Sequence, residues 1–201
     1  MTILRGLLVD LEPLGEAYTE KMYAYWNNFT KSWATMGDDG PVSMATIKRV
    51  VEHRNEGAER GYTGVHFMMR ARDGEIIGSV GLNWVDYWNR HASIGAWIGE
   101  EDYLSGGHGT EAVILLCDYA FRWLDMRRLV LMTMDINERA RGASERTGFT
   151  LEQRMRKSTL FQGEWVDVVV YGMNRDEWKG RDVLAQEFNL EARARKRYGD
   201  F

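Results

Sequence analysis

A single cysteine, Cys117, stands among 201 residues, which leaves no material for a disulfide framework or a multi-cysteine zinc site. Two prolines exclude a proline-rich linker protein. No apolar run approaches the roughly 18–20 residues that a membrane helix needs. The opening Met1-Thr2-Ile3-Leu4-Arg5 is broken by Arg5, Asp10 and Glu12, unlike the apolar core of a signal peptide. A basic excess is missing as well. Lys and Arg number 26 against 30 Asp and Glu, a net charge of -4, which argues against nucleic acid as the main partner. What is present is a 44% hydrophobic, 12% aromatic chain with eight tryptophans, enough to bury a sizeable core. The expectation is a cytoplasmic globular protein that engages neither membrane nor nucleic acid and holds no metal.

Periodicity divides the chain into elements. A short strand is expected near Thr2–Leu8, then a helix over Gly15–Asn28, with Tyr18, Met22, Tyr25 and Trp26 on one face. Turn chemistry at 36–41 precedes Ser43, a suitable N-cap for a second helix running to about Glu56. Strand-length stretches follow at Val65–Arg70, Ile76–Val85 and Ala92–Gly99, the first two joined by the hairpin signal Asp73-Gly74. The glycine-rich bend Ser105-Gly106-Gly107-His108-Gly109 opens a helix from Thr110 to about Asp125. A strand at Leu129–Asp135, a helix at Glu138–Thr147 stopped by Gly148, and strands at Glu152–Phe161 and Trp165–Met173 complete an α/β (α+β) order around one sheet. Residues 175–201 are dense in charge. They read as one amphipathic helix carrying Val183, Leu184, Phe188 and Ala192, appended to a domain over 1–174, with a solvated tail as the alternative.

The bend at 105–110 carries the chemistry. The first N–H groups of a helix lack intrahelical partners, and the helix dipole adds positive charge there. Glycines let a phosphate reach the main chain. No lysine follows the glycines as a Walker loop requires, and the third glycine of a dinucleotide fingerprint is misplaced.

Gly107-His108-Gly109-Thr110-Glu111-Ala112, followed by Asp118-Tyr119-Ala120-Phe121, resembles the acetyl-CoA-binding segment of the GCN5-related N-acetyltransferases (GNAT), in particular the RimJ/RimL type. Three further blocks occur in matching order: Gly74 to Leu82, Asn137 to Phe149, and Gly163 to Met173. The resemblance implies the GNAT fold, a mixed and mostly antiparallel sheet flanked by helices, here with an extra C-terminal helix.

It implies further that the pantetheine arm of acetyl-CoA lies between two splayed strands, at the backbone of Trp97, Ile98 and Gly99, with Asn137 on the other strand's end. The pyrophosphate would meet N–H groups from Ser105, Gly106, Gly107, His108, Gly109 and Thr110. The His108 side chain itself is expected to face solvent. Ser144 stands where many relatives carry a tyrosine that protonates the leaving thiolate. Ser93 replaces a common glutamate base, and Glu100, Glu101 and Asp102 are read as solvated loop charges or as bases acting through water. Leu104, Ser105 and Gly106 depart from a more basic family loop.

The implied activity is acetyl transfer to a primary amine, either a protein N-terminus or a small-molecule amine. The acceptor would enter where Tyr23, Trp26, Trp33 and Met36 approach Trp84, Tyr87 and Trp88. A non-catalytic acyl-CoA-binding module is the alternative, and a homodimer is compatible with either.

Overall fold

The computed structural model describes residues 4–28, 41–60 and 64–200, with backbone alone for 54–60. Eight strands form one sheet: β1 (Leu4–Arg5), β2 (Val9–Pro13), β3 (His66–Ala71), β4 (Ile76–Asp86), β5 (His91–Ile98), β6 (Arg128–Met134), β7 (Thr150–Phe161) and β8 (Glu164–Asn174). Their order is β1-β2-β3-β4-β5-β6-β8-β7. Every pair is antiparallel except β5 with β6. A parallel pair needs a long crossover, and α3 (His108–Arg122) supplies it. The remaining α-helices among the described residues are α1 (Thr19–Trp26), α2 (Met44–Arg60), α4 (Glu138–Thr147), α5 (Arg181–Glu187) and α6 (Leu190–Tyr198).

Alternation along β3 shows how the layers arise. Phe67, Met69 and Ala71 enter the large core against α3, while Met68 faces the opposite way and packs with Met22 of α1 and Ile47 and Val51 of α2. The sheet is therefore covered on both faces. Helix α2 begins as the sequence indicates, with the Thr46 N–H donating to Ser43 Oγ at 3.1 Å. It runs on to Arg60, one turn past the expected end. Gly148 closes α4 with φ of 103°.

Two expectations are corrected. The single strand at Thr2–Leu8 is two strands, β1 and β2, around a tight corner. Side chains hold that corner where a continuous ladder cannot. Asp10 Oδ1 accepts from the Gly6 N–H, and Arg72 donates to the carbonyls of Gly6 and Leu7. Glu111 of α3 accepts from Leu7 N at 2.6 Å, Leu8 N at 2.6 Å and Val9 N at 2.9 Å.

The charged C-terminal segment is also not one helix. Asn189, with φ of 51°, breaks it into α5 and α6. The break rotates the apolar line, so Leu184, Leu190 and Ala194 are buried in the large core while Val183 and Ala192 are exposed. The segment packs on the domain and is not a solvated tail.

Glu111 is 3% exposed, and no other group takes over its three N–H donors. Replacing it by alanine should destabilise the fold by about 3 kcal/mol, because hydrogen bonds to a charged group contribute more than neutral ones and the buried donors lose their partner. Urea unfolding followed by circular dichroism checks this. A midpoint unchanged from the parent would contradict the assignment.

Candidate active site

Strands β5 and β6 run together only at their starts, through the pairs His91↔Arg128, Ala92↔Leu129, Ser93↔Val130 and Ile94↔Leu131. Beyond Ile94 they part. β5 stays with β4 as far as Gly78↔Ile98, and β6 stays with β8 as far as Met134↔Val168. The result is a wedge-shaped gap in the middle of the sheet.

Backbone alternation decides which groups line this gap. The Gly99 N–H donates to the Ile77 carbonyl at 2.8 Å, so Gly99 and, two residues back, Trp97 direct their main chain to β4. The Trp97 carbonyl accordingly lies against Gly78, 2.0 Å from where a Cβ would stand. Ala96 and Ile98 therefore turn their N–H and C=O groups to the gap. Of the three strand positions named from the resemblance, Ile98 presents its main chain there, whereas Trp97 and Gly99 do not. Ala96, exposed where its neighbours Ile94 and Trp97 are buried, was missed. Strand phase would have found it. Gly99 has a different local reason: Tyr25 Cε1 would be 2.4 Å from its Cβ, and the Tyr25 ring meets Trp97 edge-on at 4.6 Å.

The glycine bend leads directly from β5 into α3. A 3-10 turn at Glu101–Tyr103 is followed by Ser105 at φ 61° and Gly107 at φ 102°, the N-cap of α3. The first bonded amide is Glu111, which donates to the Gly107 carbonyl at 2.9 Å. The N–H groups of His108, Gly109 and Thr110 thus project from the N-terminus of a 15-residue helix without intrahelical acceptors. A Cβ on Gly109 would lie 3.2 Å from Ile98 Cδ1, so the glycine lets the start of α3 sit close to the gap-lining residue.

His108 departs from expectation. Its side chain is fully buried and not solvent-facing. Nε2 lies 2.8 Å from the Tyr198 hydroxyl, and the ring meets Tyr103 and Tyr198 edge-on. Nδ1 has no hydrogen bond of good geometry. Burial, then the nearby Arg197 cation, brings its pKa down to about 4, with Asp73 opposing. Neutral and buried against Gly106 and the two tyrosines, the imidazole serves packing, and its main chain belongs to the amide cluster.

On the far side of the gap, Asn137 caps α4: its Oδ1 accepts from the Ala140 N–H at 3.2 Å. Ser144, 2% exposed on α4, donates its hydroxyl to the Ala140 carbonyl at 2.8 Å. It can reach a ligand in the gap only by changing rotamer.

The sheet face toward α1 is floored by glycine. Gly81 and Gly95 are direct partners on β4 and β5. His66 covers Gly81, with Nδ1 2.4 Å from a Cβ built there, and Asn83 covers Gly95 in the same way at 2.3 Å. A bulge between Leu82 and Trp84 places Asn83 and Trp84 on this face together, and Trp84 stacks on His91 at 4.6 Å. Neither His66 nor Asn83 was named from sequence, since their meeting depends on the register of three strands. Glu100 is not a free loop charge. Lys21 Nζ lies 2.8 Å from its carboxylate and the Tyr25 hydroxyl 3.0 Å. The carboxylates of Glu101 and Asp102 are exposed, as expected. Trp88 is 92% exposed at the β4–β5 turn, while Trp33 and Met36 lie outside the described residues.

A crossover helix springing from a glycine bend beside a split parallel pair is the mixed-sheet arrangement that the family resemblance implies, and sequence comparison agrees. Residues 4–150 match the acetyltransferase (GNAT) domain, and the chain belongs to that family. Over 108 residues it is 35% identical to the Bacillus subtilis protein named "Putative ribosomal N-acetyltransferase YdaF", a match covering 54% of this chain and 58% of that relative. The chain thus spans less than two thirds of that protein's length. The Escherichia coli ribosomal-protein-serine acetyltransferase is 27% identical over 166 residues, 81% of this chain and 90% of that one. In fold, the chain superposes on spermidine N-acetyltransferase from Vibrio cholerae, solved with CoA and spermine, at a TM-score of 0.75 and 18% identity, covering 86% and 98% of the two chains. Among the described residues there is no group of three His, Cys, Asp or Glu arranged to hold a metal, and no helix long and apolar enough to cross a membrane.

The buried His108 makes a pH signature. The unfolded chain takes up its proton near the ordinary 6.5, the folded one only near 4, so stability should fall as pH drops through that window. In His108→Gln the fall between pH 6.5 and 4 should be shallower than in the parent. Urea midpoints measured at half-unit pH steps test this, and identical slopes would contradict it.

Proposed function

We propose that the protein transfers an acetyl group from acetyl-CoA to a primary amine. The observation that carries this is the coincidence of the gap with the helix start: free main-chain groups of Ala96 and Ile98 lie beside the unbonded N–H groups of His108, Gly109 and Thr110. An elongated ligand with a phosphorylated end and an amide-bearing arm fits both. The helix N-terminus favours the phosphates, and strand-like pairing with β5 suits the arm. The residues need no side-chain chemistry to do this, which is why the less basic loop at Leu104-Ser105-Gly106 does not disqualify it. Ser105, Gly106 and Gly107 shape the bend. Asn137 has its Nδ2 donors available toward the arm, because only Oδ1 caps α4.

In the transfer, the amine nitrogen bonds to the thioester carbonyl carbon, the C–S bond breaks, and CoA leaves as a thiolate that takes a proton. The Ile98 N–H, on the gap side of β5, is the donor proposed to polarise the carbonyl. Ser144, once released from the Ala140 carbonyl, is the hydroxyl proposed to protonate the sulfur. Ser93 supplies no carboxylate, and Glu100 is engaged by Lys21 and Tyr25. The ammonium proton therefore leaves through water on the face floored by Gly81 and Gly95. Between acceptors, we favour a protein N-terminal amine over a polyamine. The names of two sequence relatives concern ribosomal proteins, whereas the spermidine enzyme shares the fold at 18% identity.

Isothermal titration should show acetyl-CoA and CoA binding in the micromolar range and NAD not binding. Absence of binding by both CoA species would remove the enzyme reading. Ser144→Ala should lower kcat by about tenfold to a hundredfold, the scale of a lost proton donor, while leaving KM for acetyl-CoA unchanged. A wild-type kcat in that variant would reject the donor role.

A further inference from the structure

The C-terminal helix ends against the loop that the proposed function uses for phosphates. Three contacts from its last turn reach that loop. The Tyr198 hydroxyl meets His108 Nε2 at 2.8 Å, although 90 residues separate the two. Arg197 Nη1 donates to the Asp102 carbonyl at 2.9 Å. Its guanidinium also stacks over the Tyr103 ring, 4.2 Å from the centroid, and Tyr103 in turn donates to Asp73 Oδ2 at 2.7 Å. Farther back, Leu190 and Arg193 pack on Gly107: a Cβ there would lie 3.3 Å from Arg193 Cδ and 3.6 Å from Leu190 Cδ2. The residues touched, Asp102, Tyr103, Gly107 and His108, bracket the whole bend.

The bend needs such support. Ser105 and Gly107 both have left-handed backbone, and Gly107 has no side chain with which to cap the helix. Within residues 105–107 the Gly107 carbonyl, which accepts from the Glu111 N–H, ties the bend to α3, and further support comes from α6. His108 is the first residue of α3, and its ring is held by Tyr103 on one side and Tyr198 on the other. Its Nδ1 has no hydrogen bond of good geometry, with the Tyr103 main chain its nearest polar neighbour, so the Tyr198 hydroxyl makes the ring's well-formed hydrogen bond.

We infer that α6 is a working part of the cofactor site: Tyr198 and Arg197 are positioning residues that hold the His108–Thr110 amides in the orientation that binds the phosphates of acetyl-CoA. This rests on the reading of the bend as a phosphate cradle. It assigns to the last turn of the chain a control over cofactor affinity, with no contact to substrate.

The test compares the full-length protein with Tyr198→Phe, which keeps the ring and removes the hydroxyl, and with Arg197→Lys, which keeps the charge and loses the stacked fork. Amide exchange at Glu111 and Ala112, the first bonded amides of α3, is followed by NMR without ligand, and CoA binding is followed by titration. Tyr198→Phe should speed exchange at those two amides and raise the Kd for CoA about fivefold to tenfold, the scale of one buried hydrogen bond. Arg197→Lys should move both readings in the same direction. KM for the acceptor amine and exchange in β3 and β4 should not change, which a general loss of stability would not reproduce. Unchanged exchange, or faster exchange with an unchanged Kd, overturns the inference while leaving the cofactor reading intact. A parent protein that binds no CoA overturns both.

Discussion

The carboxylate of Glu111 is the constraint on which the arrangement of layers depends. It sits in the first turn of α3, where the helix dipole favours negative charge, and gathers the N–H groups of Leu7, Leu8 and Val9. The corner between β1 and β2 is thereby fastened to the helix that crosses the sheet. Gly6 makes room for it, since a Cβ there would lie 2.7 Å from the Glu111 carboxylate. Helix α3 is also the element that carries the free amides. A packing interaction between the N-terminal corner and the crossover helix thus fixes the position of the proposed binding site.

The proposed site is built from main chain, and that decides how it can vary. Side chains at 96 and 98 do not carry the proposed donors and acceptors, so their identities are free as long as backbone phase persists, whereas His108 is held by its buried contact with Tyr198. The constraints fall on shape: glycine at 107 for φ, and glycine at 109 to let α3 approach Ile98. A residue-by-residue likeness in this region is therefore weaker evidence than the order of elements around it.

Much of the fold was legible for this reason. Hydrophobic period gave β3 to β6, β8 and α3 to within a few residues, because each buries residues on a regular face, while β7 and α4 were marked by the flanking turn and by the Gly148 stop. The first corner was not legible, since a buried glutamate 100 residues away replaces the ladder there. Nor was the division of the C-terminal segment, where Asn189 turns the chain by a left-handed residue and moves the buried stripe from Val183 and Ala192 to Leu190 and Ala194. In the candidate site, the glycine bend, the phase of Ile98 and the capping position of Asn137 follow from sequence pattern, while their part in binding belongs to the proposal. The meeting of His66 and Asn83 over two glycines could not be named in advance, because it follows from register and a bulge. The burial of His108 could not either, because its partner Tyr198 lies at the other end of the chain.

That last separation has a consequence for biosynthesis. Chains emerge from the ribosome N-terminus first, at about 5–20 residues per second. His108 and Tyr198 are 90 residues apart, so roughly 5–18 s pass between the making of one and the other. During that interval the sheet from β1 to β5 and the helix that follows can assemble, but the imidazole at the head of α3 meets Tyr103 alone and lacks Tyr198. The bend lies mid-sequence yet is among the last places to be finished, completed only after residue 198 has been made.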